Sequence, residues 1–256
     1  MTDFLKFKVF DSVSLSCHEN LLNSDDSLKY LYDRGISDHS IRVFRLGLFP
    51  KDMSEILKPI NPKWLKECDI IKNASRSKFQ TWDLIVPITD AYGRYIALAG
   101  RTMMSEKERD IKRIPKYMNS NYKKSEHMFG LGRDSIKEIL NKDKVYVVEG
   151  YFDVISAHQN GLKNVVAICG AYLSNKQLSL LSRYTKNIVL MFDNEEEAQN
   201  KAKKIAIKKR RGEVNLSVEN PLPHDAKDID EFFQKYSLSD LSFDKKEDLF
   251  DINTIW

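Results

Sequence analysis

Hydrophobic placement changes period along this chain, and the change falls near Trp82. Before it, apolar residues recur at helical spacing between polar caps. Asn23-Ser24-Asp25-Asp26 opens one such segment, Leu28, Leu31 and Tyr32 share a face of it, and Arg34-Gly35 ends it. Ser37-Asp38 opens a second, which carries Ile41 and Phe44 and is closed by Gly47. Residues 52–57 and 62–68 read as further short helices, while 1–23 are mixed and yield no assignment. The region reads as a small helical subdomain that packs and positions.

After Trp82 the runs become continuous or alternate with period two. Residues 84–88 and 95–101 read as strands joined by the turn Asp90-Ala91-Tyr92-Gly93-Arg94. The charged stretch 102–113 reads as a mobile loop. A helix over 134–140 leads into a regular alternation. Strands are expected over 144–149, 164–169, 187–192 and 213–218. Helices are expected over 151–160 (stopped at Gly161), 174–184, 195–210 and 228–236. Ser174 with Gln177 has capping-box spacing. Such alternation predicts an α/β fold, a parallel sheet flanked by helices, here preceded by a mixed α+β subdomain. The expected boundaries are 1–140, 141–236 and an acidic, weakly patterned tail over 237–256.

Composition narrows the class. The 256 residues are 42% hydrophobic and 30% charged, enough to bury a core and too patterned for disorder. The net charge of +4 announces no polyanionic partner by itself, but Lys and Arg concentrate in 101–133. Cys17, Cys68 and Cys169 lie far apart, which argues against a disulfide framework or a thiolate zinc site. No apolar run has the length of a membrane span, and the first residues lack a signal-peptide pattern. The expectation is a cytoplasmic protein without a membrane partner.

The chemistry gathers where apolar runs end. Val145-Tyr146-Val147-Val148 runs into Glu149-Gly150-Tyr151-Phe152-Asp153, and Ile188–Phe192 (188–192) runs into Asp193-Asn194-Glu195. A third run leads through Leu222-Pro223 to Asp225, Asp228 and Asp230. Functional groups collect at the carboxyl ends of parallel strands. Carboxylates crowded there repel unless a cation neutralises them, and Mg²⁺ takes such oxygens. Acidic N-caps on successive helices explain the same spacing, and Asp153, in a first helical turn, suits that reading. Spacing alone leaves both open. Gly150 permits a tight turn. Pro115-Lys116-Tyr117-Met118-Asn119-Ser120 and Tyr122-Lys123-Lys124 interleave cations with aromatics, as a single-stranded nucleic-acid surface does.

Val147-Val148-Glu149-Gly150-Tyr151-Phe152-Asp153 resembles the E-G-x-x-D motif of toprim domains. Upstream, Tyr30-Leu31, Arg34-Gly35-Ile36, Pro87-Ile88, Asp90, Gly93-Arg94, Gly100-Arg101, 115–120 and Phe129-Gly130-Leu131 resemble, in order, the core of DnaG-type bacterial and phage primases. The resemblance spans roughly 25–236 and implies a toprim-type sheet. It implies a nucleotidyltransferase that makes short RNA primers on single-stranded DNA from NTPs, with Mg²⁺ or Mn²⁺. Glu149 matches the lead glutamate, Asp193 and Glu195 the D-x-D pair, and Asp228 and Asp230 a downstream acidic pair. These five are the implied metal ligands, with Glu149, Asp193 and Glu195 catalytic. Arg101, Lys116, Tyr117, Asn119 and Lys124 match the nucleotide and template cleft, and Gly150 and Asp153 complete the motif.

Two departures stand out. Glu195 replaces the second aspartate, and Ala198 replaces a glycine of D-x-D-x-x-G. No Cys/His zinc ribbon precedes the matching segments and no sizeable helicase-binding domain follows. The resemblance therefore implies a replicative helicase and a separate zinc-ribbon protein as partners, and a phage or mobile-element origin. A toprim nuclease, or a catalytically weak DNA-binding or helicase-associated subunit, would use the same residues.

Overall fold

A computed structural model of the chain describes residues 1–73, 75–170, 172–209 and 214–241. Positions 210 and 213 of the expected helix and strand, and 242–256 of the expected tail, lie outside the described residues. The chain divides into two compact units, Met1–Lys123 and Lys124–Trp256.

The first unit opens with α1 (Asp3–Leu22), where the sequence pattern had yielded no assignment. Its buried residues Val9, Phe10, Val13, Cys17 and Leu21 return about every four positions, so one stripe faces the core. The other face keeps exposed apolar residues such as Phe4 and Leu15, which blurs the pattern in the sequence. Helices α2 (Asp25–Asp33) and α3 (Asp38–Val43) follow, and the Ser37 side chain caps α3. Tyr32 is not on the buried face of α2; it is exposed, and its hydroxyl donates to Asp38 at 2.6 Å. The chain turns after α3 at Arg45, whose φ is +48°, and Gly47 opens β1 (Gly47–Leu48) instead of closing the helix.

Two short helices, α4 (Ser54–Leu57) and α5 (Pro62–Glu67), precede the small hairpin β2 (Ile71–Asn73) and β3 (Arg76–Ser77). The expected hairpin forms as β4 (Leu84–Thr89) and β5 (Tyr95–Arg101), antiparallel. Asp90 fixes its turn, accepting from the N–H groups of Tyr92 and Arg94 at 2.9 and 3.0 Å, while Gly93 supplies φ +80°. Residues 102–113 are not a loop. They contain α6 (Glu106–Lys112), entered through a reciprocal capping box between Ser105 and Glu108. The 115–120 stretch forms β6 (Tyr117–Asn119), completing a sheet of order β1-β4-β5-β6.

The second unit begins with a 3₁₀ turn (Lys124–Glu126) and α7 (Arg133–Lys142). Then come β7 (Val145–Val148), α8 (Tyr151–Gln159), β8 (Val165–Ala167), α9 (Asn175–Leu181), β9 (Asn187–Leu190), α10 (Glu196–Lys209), β10 (Asn215–Val218) and α11 (Ile229–Lys235). The four strands pair in parallel in the order β10-β9-β7-β8. β7 and β8 are buried throughout, which is why they read as unbroken apolar runs. Helix α8 is buried from Tyr151 to Ala157 and packs on α11. Phe232 of α11 is fully buried and stacks on Tyr236 at 5.3 Å. Truncating such a ring costs about 3–5 kcal/mol. Because all four strands run the same way, their carboxyl ends share one edge, and that edge receives the acidic residues.

Candidate active site

In the second unit, Glu149 follows β7 directly, and Asp193 follows β9 after two buried residues, Met191 and Phe192. Asp228 is the N-cap of α11, its carboxylate accepting the N–H of Glu231 at 2.7 Å, and Asp230 lies buried in the first turn. The fold brings these groups within electrostatic reach of one another. Burial first, then Glu149 and Asp228, then Glu195, push the Asp193 carboxyl up to about 6, against an opposing pull from Lys227. Asp153 is driven well above the usual carboxylate range by burial and by Asp228, Asp193 and Asp230.

Helix capping and charge crowding divide these residues between them. Asp153 accepts the N–H of Gly150 at 2.8 Å, and Asp228 caps α11. Glu149 and Glu195 instead take counter-cations. Lys201, from the second turn of α10, pairs with Glu149 and lies 5.2 Å from the Phe192 ring centre. Lys227 pairs with Glu195 at 2.7 Å, and that hydrogen bond raises the lysine's own pKa. With the glutamates drawn toward lysines, no group of three or more His, Cys, Asp or Glu side chains among the described residues is arranged to hold a metal ion. The donor chemistry still fits a hard divalent cation. The groups are all carboxylates, and the repulsion that raises Asp193 is what such an ion relieves.

Gly150 serves differently from the tight turn expected of it. Its φ of −114° is ordinary extended backbone, but a Cβ there would lie 2.8 Å from the Asp153 carboxylate oxygen. Glycine leaves room for the carboxylate to close onto the backbone N–H.

Sequence reasoning missed three residues here. Asn194, between the two acids, ties the β9–α10 turn to the loop before α11. Its N–H donates to the Lys227 carbonyl at 2.6 Å, its amide to the Pro223 and Ala226 carbonyls, and its Oδ1 accepts from Asn220 at 2.7 Å. An asparagine flanked by acids after an apolar run was a signal for it. Lys201 carried none, since it is one of several lysines in its stretch, and Lys227 stands alone between Asp225 and Asp228 with nothing local to tie it to Glu195.

The basic residues behave unlike one another. In the first unit, Arg101 is 5% exposed, and its guanidinium donates to the Tyr30 hydroxyl at 3.1 Å and to the Tyr117 hydroxyl at 2.7 Å. Tyr117 lies directly across from Arg101 in the β5–β6 register, and Asn119 across from Ala99. Gly100 between them is needed, because a Cβ there would run into the Trp82 carbonyl and the Phe79 ring. Lys116 is exposed, with its ammonium 5.8 Å from the Tyr117 ring centre. In the second unit, Lys124 donates to the Cys169 carbonyl at 3.3 Å, and burial lowers its pKa.

Known proteins fall in line with this geometry. The family model described as "DNA primase catalytic core, N-terminal domain" matches residues 17–135, and the model described as "Toprim-like" matches 146–233. The chain belongs to the DnaG-type primase catalytic-core family. The DNA primase of Aquifex aeolicus is 35% identical over 221 residues, 78% of this chain and 41% of that protein. The DNA primase of Synechococcus elongatus is 34% identical over 236 residues, 84% of this chain and 32% of that protein. The chain therefore spans about a third to two-fifths of the length of these relatives. A crystal structure of the zinc-binding and RNA polymerase domains of the Aquifex aeolicus primase superposes with a TM-score of 0.80 at 28% identity. That match covers 92% of this chain and 59% of that one. A DnaG primase catalytic domain bound to single-stranded DNA superposes at 0.74 with 25% identity, covering 90% and 74%. No helix among the described residues is long and apolar enough to cross a membrane.

Proposed function

We propose that this chain is the primer-synthesising core of a DNA primase, a nucleotidyltransferase that extends RNA on a single-stranded DNA template from NTPs. The observation that carries this reading is the carboxylate cluster at the carboxyl edge of β7 and β9, where burial first and neighbouring carboxylates second raise Asp193 to about 6. It lies within a chain whose two parts match the two domains of the primase core. The single-stranded DNA in the related catalytic domain supports the template assignment.

In the reaction, the 3′-oxygen of a bound nucleotide attacks the α-phosphorus of an incoming NTP. A new P–O bond forms, the bond to the β-phosphate oxygen breaks, pyrophosphate leaves, and the hydroxyl proton passes to solvent. Glu149, Asp193 and Glu195, with Asp228 and Asp230, would hold divalent cation, Mg²⁺ or Mn²⁺. Bound there, the ion offsets charge on the phosphates and on the attacking oxygen. Asn194 keeps the two acidic loops at fixed spacing. Arg101 holds Tyr117 in place beside Lys116, and Lys116 meets phosphate while Tyr117 and Asn119 meet base or ribose. Lys124 adds a further phosphate contact. Positioning and charge neutralisation supply the rate enhancement. A helicase and a separate zinc-ribbon protein are the partners proposed, and the cytoplasm the compartment.

The Lys201–Glu149 and Lys227–Glu195 pairs favour one second reading, a DNA-binding subunit of low catalytic power. Labelled NTPs, a single-stranded template and Mg²⁺ or Mn²⁺ separate the two. Oligoribonucleotide synthesis that falls at least a hundredfold in Glu149→Gln supports the polymerase. Template binding without synthesis, unchanged in Glu149→Gln, replaces it with the second reading.

A further inference from the structure

A cavity of about 1230 Å³ opens between α9 and α10, entirely within the second unit. Its α10 wall carries Lys201, Lys204 and Lys208 at i, i+3 and i+7, one face of the helix. That row is about 10 Å long at the rise of an α-helix. Lys176 and Asn175 stand on the opposite side, and Tyr172 at the rim is 63% exposed. Five lysines, counting Lys209, line the cavity against two glutamates, Glu196 and Glu197. The glutamates lie in the first turn of α10, about 10 Å along the helix from Lys204 and farther from Lys208.

The lysines differ in what already satisfies them. Lys201 pairs with Glu149, Lys176 with Glu126 at 2.6 Å, and Lys209 with the side-chain oxygen of Asn175. Lys204 and Lys208 make no ion pair or hydrogen bond with another described residue. Burial and the adjacent Lys208 lower the pKa of Lys209, as expected where like charges crowd without an anion. An aromatic ring at the mouth of a lysine-lined channel is the arrangement that binds single strands, with phosphates on the cations and a base on the ring.

We propose that the α9–α10 cavity is a second single-stranded nucleic-acid site, in which Lys204 and Lys208 contact successive phosphates and Tyr172 stacks on a base. The row of cations is longer than one phosphate needs, which favours a strand over a lone nucleotide. Although Lys201 links the cavity wall to Glu149, the proposed contacts of Lys204, Lys208 and Tyr172 use no carboxylate, so the test needs no divalent ion and stands whether or not the chain polymerises RNA.

The test is fluorescence anisotropy with a labelled oligothymidylate and the full chain in EDTA, over a salt series. Lys204→Gln/Lys208→Gln should weaken binding about tenfold at low salt and reduce the slope of log K against log salt by about 1.4, for two single-strand phosphates. Tyr172→Ala should weaken binding at least fivefold with the slope unchanged. Lys137→Gln/Lys142→Gln removes the same charge from exposed positions on α7 and should change neither. An unchanged slope in the α10 variant, or equal losses in the α7 control, overturns the site. Loss of ATP binding in equilibrium dialysis with strand affinity intact also overturns it, reassigning the cavity to a free triphosphate.

Discussion

Arg101 in the first unit and Asp193 in the second are both charges drawn out of water, and the two units treat them in opposite ways. Arg101 is held by two neutral phenol oxygens, one of them placed opposite it by strand register. Its polar neighbours are supplied by the fold itself. Asp193 sits on a loop among carboxylates, with Lys227 as a partial offset. Hydrogen bonds to a buried charge stabilise, whereas a like-charge cluster stores repulsion until a cation enters. The difference implies that the first unit is a finished framework and that the acidic edge is held in a state costly without its ligand.

Removing Arg101 should have the largest effect. Arg101→Met leaves two partly buried hydroxyls without their donor and should cost about 2–4 kcal/mol in urea unfolding. A loss below about 1 kcal/mol would mean that Arg101 is no framework cation, and the contrast with Asp193 would fail. Asp193→Asn should move the other way, because it removes a buried charge and three repulsions at once. In EDTA at pH 8 the variant should gain about 1–2 kcal/mol of stability while its affinity for Mn²⁺ falls at least tenfold. Destabilisation of that variant in EDTA would show that the cluster stores no repulsion. Smaller still is the effect at Lys201. Lys201→Met strips Glu149 of its counter-ion, so Mn²⁺ titrated by calorimetry should bind about three- to tenfold more tightly. Weaker binding would show that the lysine assists the ion instead of competing with it.

The same contrast governs what could be read from the sequence. The second unit was legible because β7, β8 and most of β9 are buried and α9 carries an explicit cap. Ser174 with Gln177 and the acids after β7 and β9 mark the sheet edge without any coordinates. The first unit was less so. Apolar residues on both faces of α1 blur its stripe, and the charged 102–113 stretch hid α6 although Ser105 and Glu108 already spelled a capping box. At the site, residue types announced the carboxylates. Pairings between distant elements, Lys201 with Glu149 and Asn194 with the 220–227 loop, depend on how helices and loops return to the edge. Local pattern does not carry that information.

A third way of burying an ionisable group appears in α8, where His158 is kept neutral. Its Nε2–H donates to the Val165 carbonyl at 2.8 Å, and burial first, then Lys163, lower its pKa, with Asp134 opposing and the Val165 bond opposing. Above the unfolded value of 6.5 the ring is neutral in both states and contributes no slope. As pH falls below 6.5 the unfolded chain takes up a proton that the folded ring resists, so stability declines until the lowered folded pKa is passed. His158→Gln keeps an N–H donor for Val165 and removes the titration. The loss of stability on moving from pH 8 to pH 5, measured by urea unfolding in EDTA, should therefore be smaller in the variant than in the parent. An equal loss in both would place the acid sensitivity elsewhere, and neutral burial could then not be set beside the paired arginine and the crowded aspartate as a distinct solution.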